Sequence, residues 1–370
     1  ALSGVLAYRD TTLNSAQKEL GRVAIVLADA FNAQHQLGVD LRGNAGGAFF
    51  SVGTPGVQPA TSNTGSAVLS AQVSNANALT ASDYELRYDG SSYSLTRLTD
   101  GTTTSYATLP QTLDGMTISI GSGTMNAGDR FRISPTQSGA SSLAVAITDP
   151  AAVAAATPIR TASGSANTGT GALGAATVTA GYPAAPLAGP VTLTYNAGSN
   201  TLSGFPAAAA VTVTVNGSST TYPPATPVPF TAGAVVSFNN MQVTLSGAPG
   251  NGDTFTIAAN TGGTGDNRNA QLLAALAESK LVGGTATFDG AYGQLVARVG
   301  TDASQANIES TAQTAILAQA QSAQQSISGV NLDEEAANLQ RFQQMYQASS
   351  KVMAIASTLF NSVLDIMNSA

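Results

Sequence analysis

The chain has 370 residues, of which 9% are charged, and its formal net charge is −7. Because a protein that binds a nucleic-acid backbone needs clustered Lys and Arg, this composition argues against nucleic acid as a partner. The chain has no Cys, which excludes disulfides and thiolate chemistry. Its longest apolar stretches, residues 23–31 and 207–215, are too short to span a bilayer, so we expect no membrane insertion.

The first 37 residues predict a helix. Leu13, Leu20 and Leu27 recur every seven residues, with small or apolar residues between them, and this spacing places an apolar stripe on one side of a helix. Gly38 is predicted to end the helix, since Gly readily takes the left-handed conformation that follows many helices.

The residues from about 51 to 265 predict antiparallel strands. Apolar residues alternate there with Thr and other polar residues, and Gly, Asn, Asp and Pro separate the runs. Residues 84–98 predict a hairpin, because two alternating runs flank the turn sequence DGSS. Further strands are predicted at residues 116–120, 129–134, 191–195, 211–215, 241–245 and 253–257.

The middle of the chain contains an internal repeat. Residues 114–133 align with residues 239–257, and residues 84–95 align with residues 191–202 in the same order. We therefore predict two related β domains, residues 51–150 and residues 151–265, of which the second is an internal repeat of the first.

The chain is predicted to be helical again from residue 266. A helix is predicted at residues 265–276, where Asp266 or Asn269 can cap its first turn. An Ala- and Gln-rich helix is predicted at residues 292–328, with an interruption near Gly300. Gly329 should break that helix, and a final helix is predicted from about residue 331 to residue 367.

Together these elements predict an α+β fold. The two ends of the chain, residues 1–50 plus 266–370, are expected to lie side by side as one discontinuous helical bundle or coiled-coil assembly domain. The two antiparallel β domains are then inserted into it and project from it.

The acidic cluster Asp333-Glu334-Glu335 can be interpreted as a metal site or as the start of a helix. Asn331 is a candidate N-cap, and Glu334 three residues later completes a capping-box pattern. Negative charge in the first turn is favoured by the helix dipole. A metal site usually recruits His or Cys ligands, and the only histidine lies some 300 residues away in the chain. We therefore favour the helix start and predict no metal site.

The final helix carries an apolar stripe at coiled-coil spacing. The stripe alternates steps of three and four residues over five heptads, as helix–helix seams do. Two interpretations stay open: the stripe packs within one molecule, or it meets neighbouring molecules in an assembly. The candidate positions are Leu332, Leu339, Phe342, Tyr346, Met353, Phe360 and Val363.

Other candidate sites fit structural roles better than chemistry. Residues 169–174 match a Gly-rich nucleotide-binding pattern, but no helix follows, so we predict a flexible loop. We expect His35 at the surface or in a local hydrogen bond. Strand ends and turns account for a set of carboxylates that could otherwise be paired for acid–base chemistry, namely Asp83, Glu85, Asp89 and Asp129. We predict no catalytic residue, no cofactor and no enzymatic activity.

The Thr-rich β domains allow a second hypothesis, a secreted adhesin or carbohydrate-binding protein. Its motivation is the exposed, Pro-rich character of residues 222–230 beside strands with many hydroxyl groups.

Four parts of the chain resemble the bacterial flagellar rod, hook and hook-associated proteins. Residues 328–364 carry the C-terminal motif of that family, in which VNLDEE is followed by MYQA. Residues 3–50 and 265–276 are similar to the helical region of the hook-associated proteins at the hook–filament junction. Residues 84–135, which end in GDRFRISP, are similar to a β domain of those proteins.

The resemblance implies a non-enzymatic, extracellular component of the flagellum. Such proteins leave the cell unfolded through the flagellar type III export apparatus and with an export chaperone. They form a ring of identical subunits between the hook protein and the second junction protein. The stripe residues would lie in the C-terminal helix that is used for assembly and that the chaperone binds. Because the family begins with a long N-terminal helix that is not found here, we expect a C-terminal fragment whose final helix is unpaired.

Overall fold

Helices occupy both ends of the described chain, and antiparallel strands fill its middle. A computed structural model describes residues 8–261, 265–328 and 332–368. The chain divides into two units, one ending at Val299 and one beginning at Gly300. The α+β class predicted from the sequence is confirmed.

The first helix, α1, spans Asn14–His35 and follows a π-helical turn at Arg9–Leu13. Residues 1–7 of the predicted helix lie outside the described residues. The predicted role of Gly38 is wrong, because this residue does not take a positive φ. Gly38 instead permits a close approach, since a Cβ there would overlap the side-chain amide of Asn269.

The first β region follows the short strand β1, Phe50–Ser51. Its strands form two sheets with the orders β2-β9-β4-β5-β6 and β3-β8-β7. The predicted hairpin is confirmed, since β4 and β5 pair directly. The strands are β2 Gly56–Pro59, β3 Val68–Val73, β4 Tyr84–Tyr88, β5 Tyr93–Arg97, β6 Thr103–Tyr106, β7 Gln111–Leu113, β8 Met116–Ser122 and β9 Arg130–Ser134.

A linker leads from the first β region to the second. It contains the short helix α2, Gly139–Ser142, and the strand β10, Ala144–Val145, which pairs with β1. A 3-10 turn at Pro150–Ala152 follows, with Asp149 as its N-cap.

The second β region again forms two sheets. Their orders are β11-β21-β14-β15-β18 and β12-β20-β19-β16-β17, and β13 also pairs with β20. The strands are β11 Ile159–Ser163, β12 Ala172–Leu173, β13 Thr177–Val178, β14 Val191–Asn196, β15 Thr201–Ser203, β16 Val211–Val215, β17 Ser218–Tyr222, β18 Val228–Pro229, β19 Val235–Phe238, β20 Met241–Ser246 and β21 Thr254–Ala259.

The strand orders of the two β regions correspond element by element. The sheet order β2-β9-β4-β5-β6 matches β11-β21-β14-β15-β18, and β3-β8-β7 matches β12-β20-β19. Leu86 lies opposite Phe131 in the first region, and Leu193 lies opposite Phe255 in the second. The hairpin β16–β17 lies between β15 and β18 along the chain and has no counterpart in the first region.

Each β region has its own apolar core. The core of the second region is formed by residues between Ile159 and Ile257. The core of the first region also includes Ile25 and Val26 of α1, together with Val282 from the C-terminal side of the chain. Burial of these side chains therefore fixes α1 to the first β region. Each Å² of apolar surface removed from water contributes about 25 cal/mol of favourable free energy.

In the described part of the chain, three α-helices follow the second β region: α3 Arg268–Ala275, α4 Phe288–Ser328 and α5 Leu332–Asn368. The predicted interruption near Gly300 is wrong, because α4 runs through it. A single Gly costs a helix only about 1 kcal/mol relative to Ala, and the neighbouring residues are good helix formers. Gly329 lies outside the described residues.

The predicted cap of α3 is partly right. Asp266 accepts the backbone N–H of Arg268 at 3.1 Å, and its carboxylate also bonds the Arg268 guanidinium. Asn269 does not cap the helix. It is buried, and its side chain bonds Ala154 and Gln34 instead.

A buried carboxylate closes a loop in the first β region. Asp129 accepts backbone N–H groups from Thr64 at 2.8 Å, Gly65 at 3.1 Å and Asn126 at 2.8 Å. The bond from Asn126 is the largest cause that lowers the pKa of Asp129. The bonds from Thr64 and Gly65 add to it, and burial opposes them.

The same arrangement occurs in the second β region. Asp253 accepts backbone N–H groups from Thr168 at 2.7 Å, Gly169 at 3.0 Å and Gly250 at 2.7 Å. Burial raises the pKa of Asp253, but the bonds from Thr168, Gly250 and Gly169 together outweigh it, so the pKa is lowered.

Asp129→Asn and Asp253→Asn should each destabilise their own β region at neutral pH. A lowered pKa means that the folded state favours the ionised carboxylate more than the unfolded chain does. The stabilisation is therefore present above the ordinary pKa of Asp, about 3.9, and is lost as the pH falls through the pKa of the folded state. Urea unfolding at neutral and at acid pH measures the free energy of unfolding under both conditions. We expect each variant to differ from the wild type at neutral pH and to approach it in acid, and an equal difference at both would contradict the assignment.

Candidate assembly surface

The heptad stripe lies on α5, and its side chains are exposed. The stripe consists of Leu332, Leu339, Phe342, Tyr346, Met353, Phe360 and Val363. Steps of three and four residues keep these positions on one side of a helix. Tyr346 is 78% exposed and Met353 is 70% exposed, so large apolar groups face solvent along the helix.

A second exposed row lies beside the heptad stripe and was missed in the sequence analysis. It consists of Met345, Val352, Leu359 and Ile366, which also recur every seven residues. Met345 lies three residues after Phe342, and Leu359 and Ile366 lie four before and three after Val363, so the two rows are adjacent on the helix surface. The repeat could have been found by testing each heptad position in turn. We call the two rows together the assembly face.

Soluble proteins rarely expose an apolar surface that continues over many helical turns unless it binds a partner. None of the positions of the assembly face carries a charge. All the side chains of α5 that the structure describes are exposed, except that of Asn338, which is half-buried. The assembly face is wider than a two-stranded coiled-coil seam, and it could contact more than one neighbouring helix.

The acidic cluster lies in the first turn of α5. Asp333, Glu334 and Glu335 are exposed there, where the positive end of the helix dipole stabilises negative charge. The predicted N-cap, Asn331, lies outside the described residues. Within the described part of the chain, no His, Asp or Glu side chains are grouped so that they could hold a metal ion. Nor is any helix there both long enough and apolar enough to cross a membrane.

The carboxylates of the first β region have structural partners. Asp83 is buried and pairs with Lys18 of α1 at 2.9 Å and with Arg132 of β9 at 2.7 Å. Glu85 lies opposite Arg132 in the strand register. Asp89 accepts hydrogen bonds within the turn between β4 and β5. The bond from the backbone N–H of Ser92 is the largest cause that lowers the pKa of Asp89. These contacts join strands, turns and a helix and assemble no acid–base pair.

The Gly-rich segment 169–174 is held in place by a hydrogen bond at its first residue. The backbone N–H of Gly169 donates to Asp253, and the segment leads into β12, a strand, not into a helix. The expectation of a flexible loop is therefore wrong for Gly169, because its conformation is fixed by that bond. A nucleotide-binding loop would need the N-terminus of a helix at this point.

The expectation for His35 is also partly wrong. The ring is fully buried, and it contacts Gly47 as well as Ala154, which lies 119 residues further along the chain. Sequence spacing alone could not predict this burial, because it depends on a linker that is distant in the chain.

Four segments of the chain match known sequence families in chain order. Residues 1–50 match the flagellar hook-associated protein FlgK helical domain, and residues 59–135 match the D2-like domain of flagellar hook-associated protein 1. Residues 158–259 match the D3 domain of flagellar hook-associated protein 1. Residues 321–366, which include most of α5, match the flagellar basal body rod FlgEFG protein C-terminal family.

Relatives that align with nearly the whole chain are also flagellar hook-associated protein 1. The chain is 30% identical to flagellar hook-associated protein 1 of Salmonella typhimurium over 99% of its length, and 28% identical to that of Escherichia coli. It spans about half the length of these relatives, 50% and 49%. A solved structure of the flagellar hook junction protein FlgK from Burkholderia pseudomallei is 41% identical, with a TM-score of 0.82. The match covers 88% of this chain and 63% of that one.

Proposed function

The chain belongs to the family of flagellar hook-associated protein 1, and from this we propose that it is a structural subunit of the hook–filament junction. It is then an extracellular component of the flagellum and has no enzymatic activity. The similarity of both helical ends and both β regions to one kind of protein supports this proposal.

The observation that carries the proposal is the exposed assembly face of α5. It lies within the segment that matches the flagellar rod C-terminal family. A face of large apolar side chains gains free energy when other helices cover it, at about 25 cal/mol per Å² of apolar surface. An assembly subunit has a use for such a face, whereas a soluble monomer has none.

We propose that further copies of the same chain cover this face in a ring. The hook protein and the second junction protein would lie on either side of the ring. Before export, a chaperone would cover the same helix, which would prevent premature association. The resemblance to the junction proteins supports these partners.

We also propose the domain division on which this role depends. Residues 1–50 plus 266–370 form the helical assembly domain, and residues 51–150 and 151–265 form two related β domains. The corresponding strand orders of the two β regions support an internal duplication, to which the hairpin β16–β17 was added.

Immunogold electron microscopy tests the proposed location. Antibodies raised against this chain should label flagella in a single band between hook and filament, with no label on a strain from which the gene is deleted. Label along the whole filament, or on the cell surface without flagella, would contradict the proposal.

A further inference from the structure

The only histidine of the chain connects three segments of the fold. His35 lies in the last turn of α1 and is 0% exposed. Its Nδ1 lies 2.8 Å from the carbonyl oxygen of Gly47. Its Nε2 lies 2.8 Å from the backbone nitrogen of Ala154, in the linker between the two β regions.

These two bonds determine the protonation state of the ring. The carbonyl of Gly47 can only accept, so Nδ1 must carry the hydrogen and donate it. The N–H of Ala154 can only donate, so Nε2 must be the bare, accepting nitrogen. His35 is therefore neutral in this fold. An imidazolium would place a second N–H against that of Ala154, and it would bury a charge away from water.

The residues next to Ala154 are bound by the helical part of the chain. The carbonyl of Ala154 accepts the side-chain N–H of Asn269 at 2.6 Å. The carbonyl of Ala156 accepts the N–H of Val39 at 2.8 Å, and that of Ala155 accepts the N–H of Ala270 at 3.0 Å. The linker is thus held between the end of α1 and the start of α3.

No negative charge in the described surroundings compensates a protonated ring. The ring faces the aromatic rings of Phe31 and Phe49, with centroids 6.4 and 5.5 Å away. The charged groups of the elements packed around it bond elsewhere: Asp40 accepts backbone N–H groups, Arg42 pairs with Asp149, and Arg268 pairs with Asp266. On α1 itself, Asp29 is exposed.

We propose that His35 is a pH-sensitive latch on the linker between the two β regions. The neutral ring holds Ala154, and protonation breaks that bond. The linker is then held to the helices through the remaining bonds of Ala154, Ala155 and Ala156, so its attachment to α1 is weaker. The latch therefore holds while the ring is neutral and opens when the ring is protonated. The assembly face of α5 takes no part in this device.

Amide exchange at Ala154 in the whole chain tests the latch. After correction for intrinsic exchange, we expect the protection of this amide to fall by at least about tenfold when the ring changes from neutral to protonated across a pH series. His35→Gln is the matched control, because its side-chain oxygen can still accept the Ala154 N–H and does not titrate. Its protection should stay nearly constant. Equal pH dependence in the wild type and the variant would overturn the proposal.

Nitrogen NMR of the wild-type ring keeps the test decisive if the variant fails to fold. Because the chain has one His, a single pair of ring signals reports it. We expect hydrogen on Nδ1 at neutral pH, and loss of Ala154 protection in the same pH range as ring protonation. A hydrogen on Nε2 at neutral pH, or a protonated ring with Ala154 still protected, would overturn the proposal.

Discussion

Replacing both Tyr346 and Met353 with Asp in the exported protein should abolish filament attachment and swimming. Both positions lie near the middle of the assembly face and are strongly exposed in the single chain. In an assembly they would become covered, and each new carboxylate would be buried without a partner, at a cost of several kcal/mol. Swimming assays and electron microscopy of a complemented deletion strain measure the outcome.

The control for this variant places the same charges on the opposite side of α5. Gln344 and Thr358 are exposed and lie on the side of the helix away from the heptad stripe. Gln344→Asp combined with Thr358→Asp should therefore retain far more motility. Normal swimming of the stripe variant would show that this face is not used in assembly.

Phe255→Ala should destabilise the second β region by about 3–5 kcal/mol and leave the first region unchanged. Phe255 is buried opposite Leu193, and its removal leaves a cavity in a core that the first region does not share. Thr256→Ala, one residue further on the same strand, removes a less buried side chain and is the control.

Chemical denaturation followed by hydrogen exchange separates the two regions. Peptides from the second region should lose protection at lower denaturant in Phe255→Ala, whereas peptides from β4 to β9 should not change. Loss of protection in both regions together would contradict separate cores.

The strands were predictable because their burial follows a local rule. Along β14, Val191–Asn196, buried and exposed residues alternate strictly, as the sequence pattern does. The two-residue strands β12 and β18 carry too few residues to show any period, and they exist because longer strands supply their partners.

The features that escaped prediction depend on contacts between distant residues. A Cβ at position 38 would overlap the side chain of Asn269, and the linker contacts the buried ring of His35 at Ala154. Neither contact leaves a local trace in the sequence. The second row of the assembly face differs, since its heptad period was visible and adjoined a row that had been found.

The rate at which a cysteine at position 353 reacts with a maleimide tests the central claim most directly. The chain has no native Cys, so Met353→Cys reports one position only. The exported monomer should react quickly, and isolated hook–filament junctions should react at least about tenfold more slowly because neighbouring helices cover the site. Thr220→Cys, on the exposed strand β17, corrects for general access. Equal rates for Met353→Cys in the monomer and in the junction would contradict the account.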